Sequence, residues 1–85
     1  MKIVAEKMEP QTQHGGYPWM VRFKRVEQTN GNYYSSMPVF RDKRAIGIVD
    51  DWCYENGSGP RCFLDQHSLM FKEETDALLC YAFFA

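Results

Sequence analysis

The chain has 85 residues and a formal net charge of −1 at pH 7, with 45% hydrophobic and 15% aromatic residues. That length allows one domain, and that apolar content excludes an intrinsically disordered chain. The near-neutral balance argues against a general nucleic-acid binder, and three irregularly spaced cysteines argue against a disulfide framework.

Ile3 to Met8 predicts a short strand. Glu9 to Gly16 holds Pro10 and the Gly15-Gly16 pair among polar residues, which is loop composition. Tyr17 to Gln28 carries the clearest strand signal. Tyr17, Trp19, Val21 and Phe23 fall on one face, and Arg22 and Lys24 on the other, because strand side chains alternate. Val26 is out of step, which predicts a bulge near Lys24-Arg25. Thr29-Asn30-Gly31-Asn32 is a turn, since Asn and Gly accept the positive φ of a type I′ hairpin. Tyr33 to Met37 should therefore run back along the preceding strand until Pro38, which cannot donate to a ladder.

The main helix is predicted over about 42–56. Asp42 supplies a capping oxygen, and positions 45, 46, 49, 52, 53 and 56 follow helical spacing on one face. Ala45, Ile46, Val49, Trp52 and Cys53 are the expected core of that face. Gly47 costs about 1 kcal/mol in a helix interior, which predicts close approach of another backbone there. Asn56-Gly57 suits a C-terminal cap.

After the loop Ser58-Gly59-Pro60, Arg61 to Asp65 and Leu69 to Phe71 read as short strands about a turn at Gln66-His67-Ser68. Glu73, Glu74 and Asp76 place acids at the start of a short C-terminal helix, with Ala77, Leu78, Tyr81 and Phe84 on its buried side. A terminal strand over Leu78 to Phe84 also fits that apolar run. The expected fold class is α+β: a single domain, 1–85, with a small antiparallel sheet, the 42–56 helix packed on one face and a short C-terminal helix.

Met1 to Lys7 breaks into charge too early for a signal peptide, and the longest apolar run, Ala77 to Ala85, is too short to span a membrane. A reduced protein of the cytoplasm is expected. The net charge hides an asymmetry: residues 1–44 carry eight Lys/Arg against four Asp/Glu, and residues 45–85 carry two against seven. Such polarity favours steering onto charged partners, although charge blocks also serve simply as solvated surface.

Cys53, Cys62 and His67, with Cys80 or His14, invite a metal reading, but no tight cysteine pair is present and structural zinc sites use one. Asp50, Asp51 and Glu55 read as a charged outer helix face, because nothing around them promises the burial that tunes a catalytic carboxylate. No cysteine opens a helix or pairs with a histidine in a nucleophile motif. The glycine pairs lack the ending of a phosphate loop. No enzyme activity and no cofactor are expected. Arg22, Lys24 and Arg25, with Arg41, Lys43 and Arg44 and the rings of Tyr33 and Tyr34, form a candidate single-stranded nucleic-acid surface. So many aromatics exceed what one small core takes in, and Tyr and Trp are favoured interface anchors.

Asp51-Trp52-Cys53 near the end of the main helix, and Leu69-Met70-Phe71-Lys72-Glu73-Glu74-Thr75-Asp76-Ala77-Leu78-Leu79, resemble stretches of the small accessory proteins of tailed bacteriophages. The resemblance covers roughly residues 40–85. It implies a protein that binds and blocks a host enzyme or a defence complex, as anti-CRISPR proteins do, by steric occlusion in the host cytoplasm. Partner-binding candidates are Asp50, Asp51, Tyr54 and Glu55 on the helix and Arg22, Lys24, Arg25, Tyr33 and Tyr34 on the strands. The alternatives are a nucleic-acid-binding accessory using the basic strand face and a small metal-binding or enzymatic protein.

Overall fold

The computed structural model describes residues 2–13, 15–29, 32–35 and 38–85, and for 27–29 and 32–35 the backbone alone. The fold is α+β. Strands β1 (Lys2–Pro10), β2 (Trp19–Thr29), β3 (Asn32–Ser35), β4 (Arg61–Phe63) and β5 (Ser68–Phe71) form one antiparallel sheet. Two helices, α1 (Lys43–Glu55) and α2 (Glu74–Phe84), complete it.

β2 organises the sheet. It pairs with β1 from Trp19 to Val26, with β5 from Trp19 to Arg22, and with β3 from Val26 to Thr29. β4 flanks β5, so the order is β1-β2-β5-β4, with β3 continuing off β2. Thr29 pairs with Asn32, so β3 runs back along β2 as the sequence predicts. Asn30 and Gly31 themselves lie outside the described residues, as do Ser36 and Met37 at the expected end of the third strand.

Alternation along β2 sends Trp19, Val21, Phe23 and Arg25 to the helix side and Met20, Arg22, Lys24 and Val26 to the far side. The bulge expected near Lys24-Arg25 is absent. Pairing advances without a skip along β2, and the register shift falls in β1, between Ala5 and Lys7. Arg25 keeps the helix-side position because Asp42 meets its guanidinium at 3.3 Å. A cation stands in phase with Val21 and Phe23, and Val26 belongs to the opposite face.

The core lies between sheet and helices. Ile3, Ala5, Val21, Phe23, Leu69 and Phe71 from the strands meet Ala45, Val49 and Cys53 of α1 and Ala77, Cys80 and Phe84 of α2. α2 lies across β1, β2 and β5, and α1 packs on the 3₁₀ turn Val39–Arg41 that leads into it. Ile46 and Trp52 are partly buried against the core rather than within it. On α2, Cys80 is buried and Leu78 is exposed, which reverses the expectation for Leu78. The small side chains of Ala77 and Cys80 let this helix approach the sheet closely, and Leu78 falls a third of a turn away from that side.

Local signals act where they were expected at α1. The Asp42 carboxylate accepts the backbone N–H of Arg44 at 2.8 Å and caps the helix. At the other end Gly57 takes φ +67°, the left-handed conformation that stops a helix. Asn56 donates its side-chain amide to the Trp52 carbonyl at 2.8 Å. Gly47 does not mark a close backbone approach: a Cβ there would meet no atom within 4 Å.

Truncating a ring at the centre of this core should cost far more than truncating an exposed leucine. Phe71→Ala is expected to lose about 3–5 kcal/mol and Leu78→Ala less than about 0.5 kcal/mol, read as shifts of the urea unfolding midpoint.

Candidate docking surface

From Ala77 to Ala85 α2 and its cap carry no charged residue, so every side of this helix is largely apolar. Its sheet side takes Ala77, Cys80 and Phe84. Leu78, Leu79 and Phe83 are left outward, 53%, 55% and 63% exposed, with Ala82 exposed between them. A helix apolar all round normally has neighbours on all sides, and here one side is open.

α1 borders that open side. Trp52 stacks on Phe83 with ring centroids 5.2 Å apart and meets Phe84 edge-on at 5.7 Å. The Asp76 carboxylate at the start of α2 accepts the Gly59 N–H, just past the end of α1, at 3.0 Å. α2 therefore begins beside the end of α1 and reaches Trp52 with its own last turn. Beneath this seam the buried thiols of Cys53 and Cys80 adjoin. Cys80 is pushed above the usual thiol range by its hydrogen bond to Cys53 and by burial. It stays protonated at neutral pH and serves as packing.

Beside Trp52, the residues Arg44, Ile48, Asp51 and Glu55 form one row of α1, since spacings of three and four bring side chains onto one face. All four are exposed. Asp51 and Glu55 stand near the end of α1, and Glu73 and Glu74, also exposed, stand at the start of α2. The exposed apolar side of α2, formed by Leu78, Leu79, Ala82 and Phe83, thus adjoins α1 at Trp52, and acids stand near it on both helices.

The candidates drawn from the sequence divide. Asp50, Asp51, Tyr54 and Glu55 all lie on the exposed side of α1, and Tyr54 is 82% exposed. Asp50 is already engaged, accepting from Arg61 Nη2 at 2.9 Å. Arg22 and Lys24 share the far face of the sheet, where Arg22 pairs with Glu6 at 3.6 Å and Lys7 with Glu9 at 3.3 Å. Arg25 is on the other face, at Asp42. The three β2 cations therefore do not form one patch. The side chains of Tyr33 and Tyr34 lie outside the described residues, as does His14. Among the described residues no three His, Cys, Asp or Glu side chains gather as a metal site, and no helix is long and apolar enough to cross a membrane. Cys62 pairs with Met70 across β4 and β5, away from Cys53 and Cys80.

Leu78, Leu79, Phe83 and Ile48 were not singled out by sequence as surface. The signal was present in the uninterrupted apolar run 77–85: read as a helix, it has more apolar positions than one buried side can take.

Asp42 is the most strongly perturbed exposed-edge carboxylate described. The Arg44 side chain and then its backbone N–H bind the carboxylate, burial opposes them, and Arg25 adds a further attraction, holding it from 3.8 down to about 2.

No protein-family model, no curated protein and no solved structure matches this chain.

The Asp42 cluster makes a pH prediction. A depressed folded-state value stabilises the fold above 3.8, and that stabilisation is lost as the pH falls to about 2. Asp42→Asn should therefore melt below the wild type at pH 7, with the gap closing between those two pH values in thermal scans followed by circular dichroism.

Proposed function

We propose that this chain is a protein-binding module that blocks its partner by steric occlusion, with the outer face of α1 and α2 as its docking surface. The observation that carries the reading is the open apolar side of α2. Leu78, Leu79 and Phe83 keep more than half their surface in water, a cost that a covering partner removes at about 25 cal/mol per Å² of apolar area. Exposed apolar residues scattered singly need no explanation, whereas a contiguous group with a polar rim is typical of an interaction site. Phe83, held in place by Trp52, is the natural anchor, since aromatic residues fixed before binding lose little entropy on docking.

The resemblance of residues 40–85 to small accessory proteins of tailed phages points to a host enzyme or a defence complex as the partner, met in the host cytoplasm. The nucleic-acid reading is weaker on this geometry: Glu6 and Glu9 pair with Arg22 and Lys7 on the far sheet face, which offsets the positive field that phosphate binding requires.

Affinity capture from bacterial lysates, with the chain as bait and mass spectrometry as readout, tests this. A partner retained by the wild type and by Arg22→Glu/Lys24→Glu, but lost by Leu79→Glu/Phe83→Glu, is the expected result. Equal capture by both double variants, or no capture at micromolar bait, would overturn the reading.

A further inference from the structure

We propose that the open side of α2 docks a cationic amphipathic helix of another protein, one whose apolar stripe is bordered by Lys or Arg. This rests on the reading of that side as a protein-docking surface and names the chemistry of its occupant.

The carboxylates select that chemistry. Away from this face, each described carboxylate is engaged: Glu6, Glu9, Asp42 and Asp50 hold cations, and Asp65 and Asp76 accept the backbone N–H groups of His67 and Gly59. Among the described residues the carboxylates with no such partner are Asp51, Glu55, Glu73 and Glu74. All four are exposed, two on α1 and two at the start of α2. Of the two cations after Arg44, Arg61 is held by Asp50 at 2.9 Å, which leaves Lys72 against four acids.

These acids border the apolar strip. Turning about 100° per residue, α2 presents Asp76 and Phe83 toward α1, then Leu79, Ala82 and Leu78 in order, and then Glu74. Glu74 lies one turn before Leu78 and so adjoins it. On the opposite margin Glu55 stands three positions beyond Trp52, with Asp51 beside it, toward the end of α1 that meets the start of α2. Uncompensated charge of one sign around an apolar strip favours a partner of the other sign and repels its like. An anionic lipid surface is thereby disfavoured. The form of the occupant follows from the backbone. Both helices bond their own backbone groups, so an extended segment finds no ladder partners on this face. A helix brings its backbone bonds with it and offers only side chains.

The probe is a synthetic helix of leucines and lysines, about four turns long, with the leucines in one stripe. Its controls are a leucine–glutamate helix of the same pattern and a leucine–lysine peptide with the stripe scrambled. Binding to the full chain is read by fluorescence anisotropy at low and high salt. The wild type should bind the leucine–lysine helix about tenfold or more tighter than either control, and less tightly as salt rises. Asp51→Lys/Glu55→Lys/Glu74→Lys, at exposed positions, should reverse the preference toward the leucine–glutamate helix. Leu79→Glu/Phe83→Glu should lose binding although it adds negative charge, with an unchanged circular dichroism spectrum. Equal binding of the two helices, no binding at all, a preference that survives the triple lysine variant, or tighter binding by Leu79→Glu/Phe83→Glu each overturns the proposal. Binding of anionic phospholipid vesicles in place of the peptide overturns it in favour of a membrane. Lysate capture is read separately: a chain that captures a protein through Leu79 and Phe83 but ignores the leucine–lysine helix sinks the cationic helix and leaves the docking surface standing.

Discussion

The ring of Phe23 lies between those of Phe40 and Phe84, edge-on to both, at 5.4 and 5.6 Å. These three residues belong to the central strand, to the turn that leads into α1 and to the last turn of α2. One side chain thus ties together three parts of the chain that are far apart in sequence. Edge-on ring pairs add about 0.5–1.5 kcal/mol each beyond the area they bury. The line of rings continues outward, from Phe40 to Phe63 on β4 and from Phe84 to Phe83 and Trp52. The proposed docking surface is therefore continuous with the core: its exposed ring, Phe83, leans directly on the buried Phe84.

This arrangement explains how a helix with no polar side keeps one orientation. Leu79 and Phe83 would bury as well against the sheet as Cys80 and Phe84 do, on hydrophobicity alone. Shape and the Asp76 carboxylate of the first turn decide. Ala77 and Cys80 are small enough to let the helix backbone settle across β1, β2 and β5, and Asp76 is fixed by the Gly59 N–H. Turning the helix about its axis would break that hydrogen bond and force leucines into the space shaped for Ala77 and Cys80.

Much of the fold was legible because its signals are local. The Asp42 cap and the Gly57 stop depend on neighbours within a few positions. Each requires a residue type that few others replace. The errors arose where tertiary contact decided. Arg25 looked out of place on the apolar face of β2, which suggested a slip in that strand, but Asp42 from another part of the chain accommodates it there. The true irregularity, at Glu6 in β1, has no distinctive residue to mark it. Leu78 and Cys80 are both apolar, and only the sheet beneath α2 distinguishes the one that fits. The candidate site was partly legible for the same reason. The exposed charges of α1 followed from helical spacing, whereas the open side of α2 required knowing that nothing else in the described fold covers it.

The strand order β1-β2-β5-β4 has a further property at its two ends. β1, at one edge, carries the register shift beside Glu6, two lysines, and Pro10, which has no N–H to offer. β4, at the other, is three residues long. Kinked, charged or very short edge strands are poor templates for another chain's backbone. Edge-to-edge hydrogen bonding with another sheet is thereby discouraged at β1 and β4. An apolar face of this kind on a protein with long, flat borders would invite open-ended fibrils. With these two borders blunted, the proposed docking through side chains of the helical layer favours discrete stoichiometry over open-ended growth.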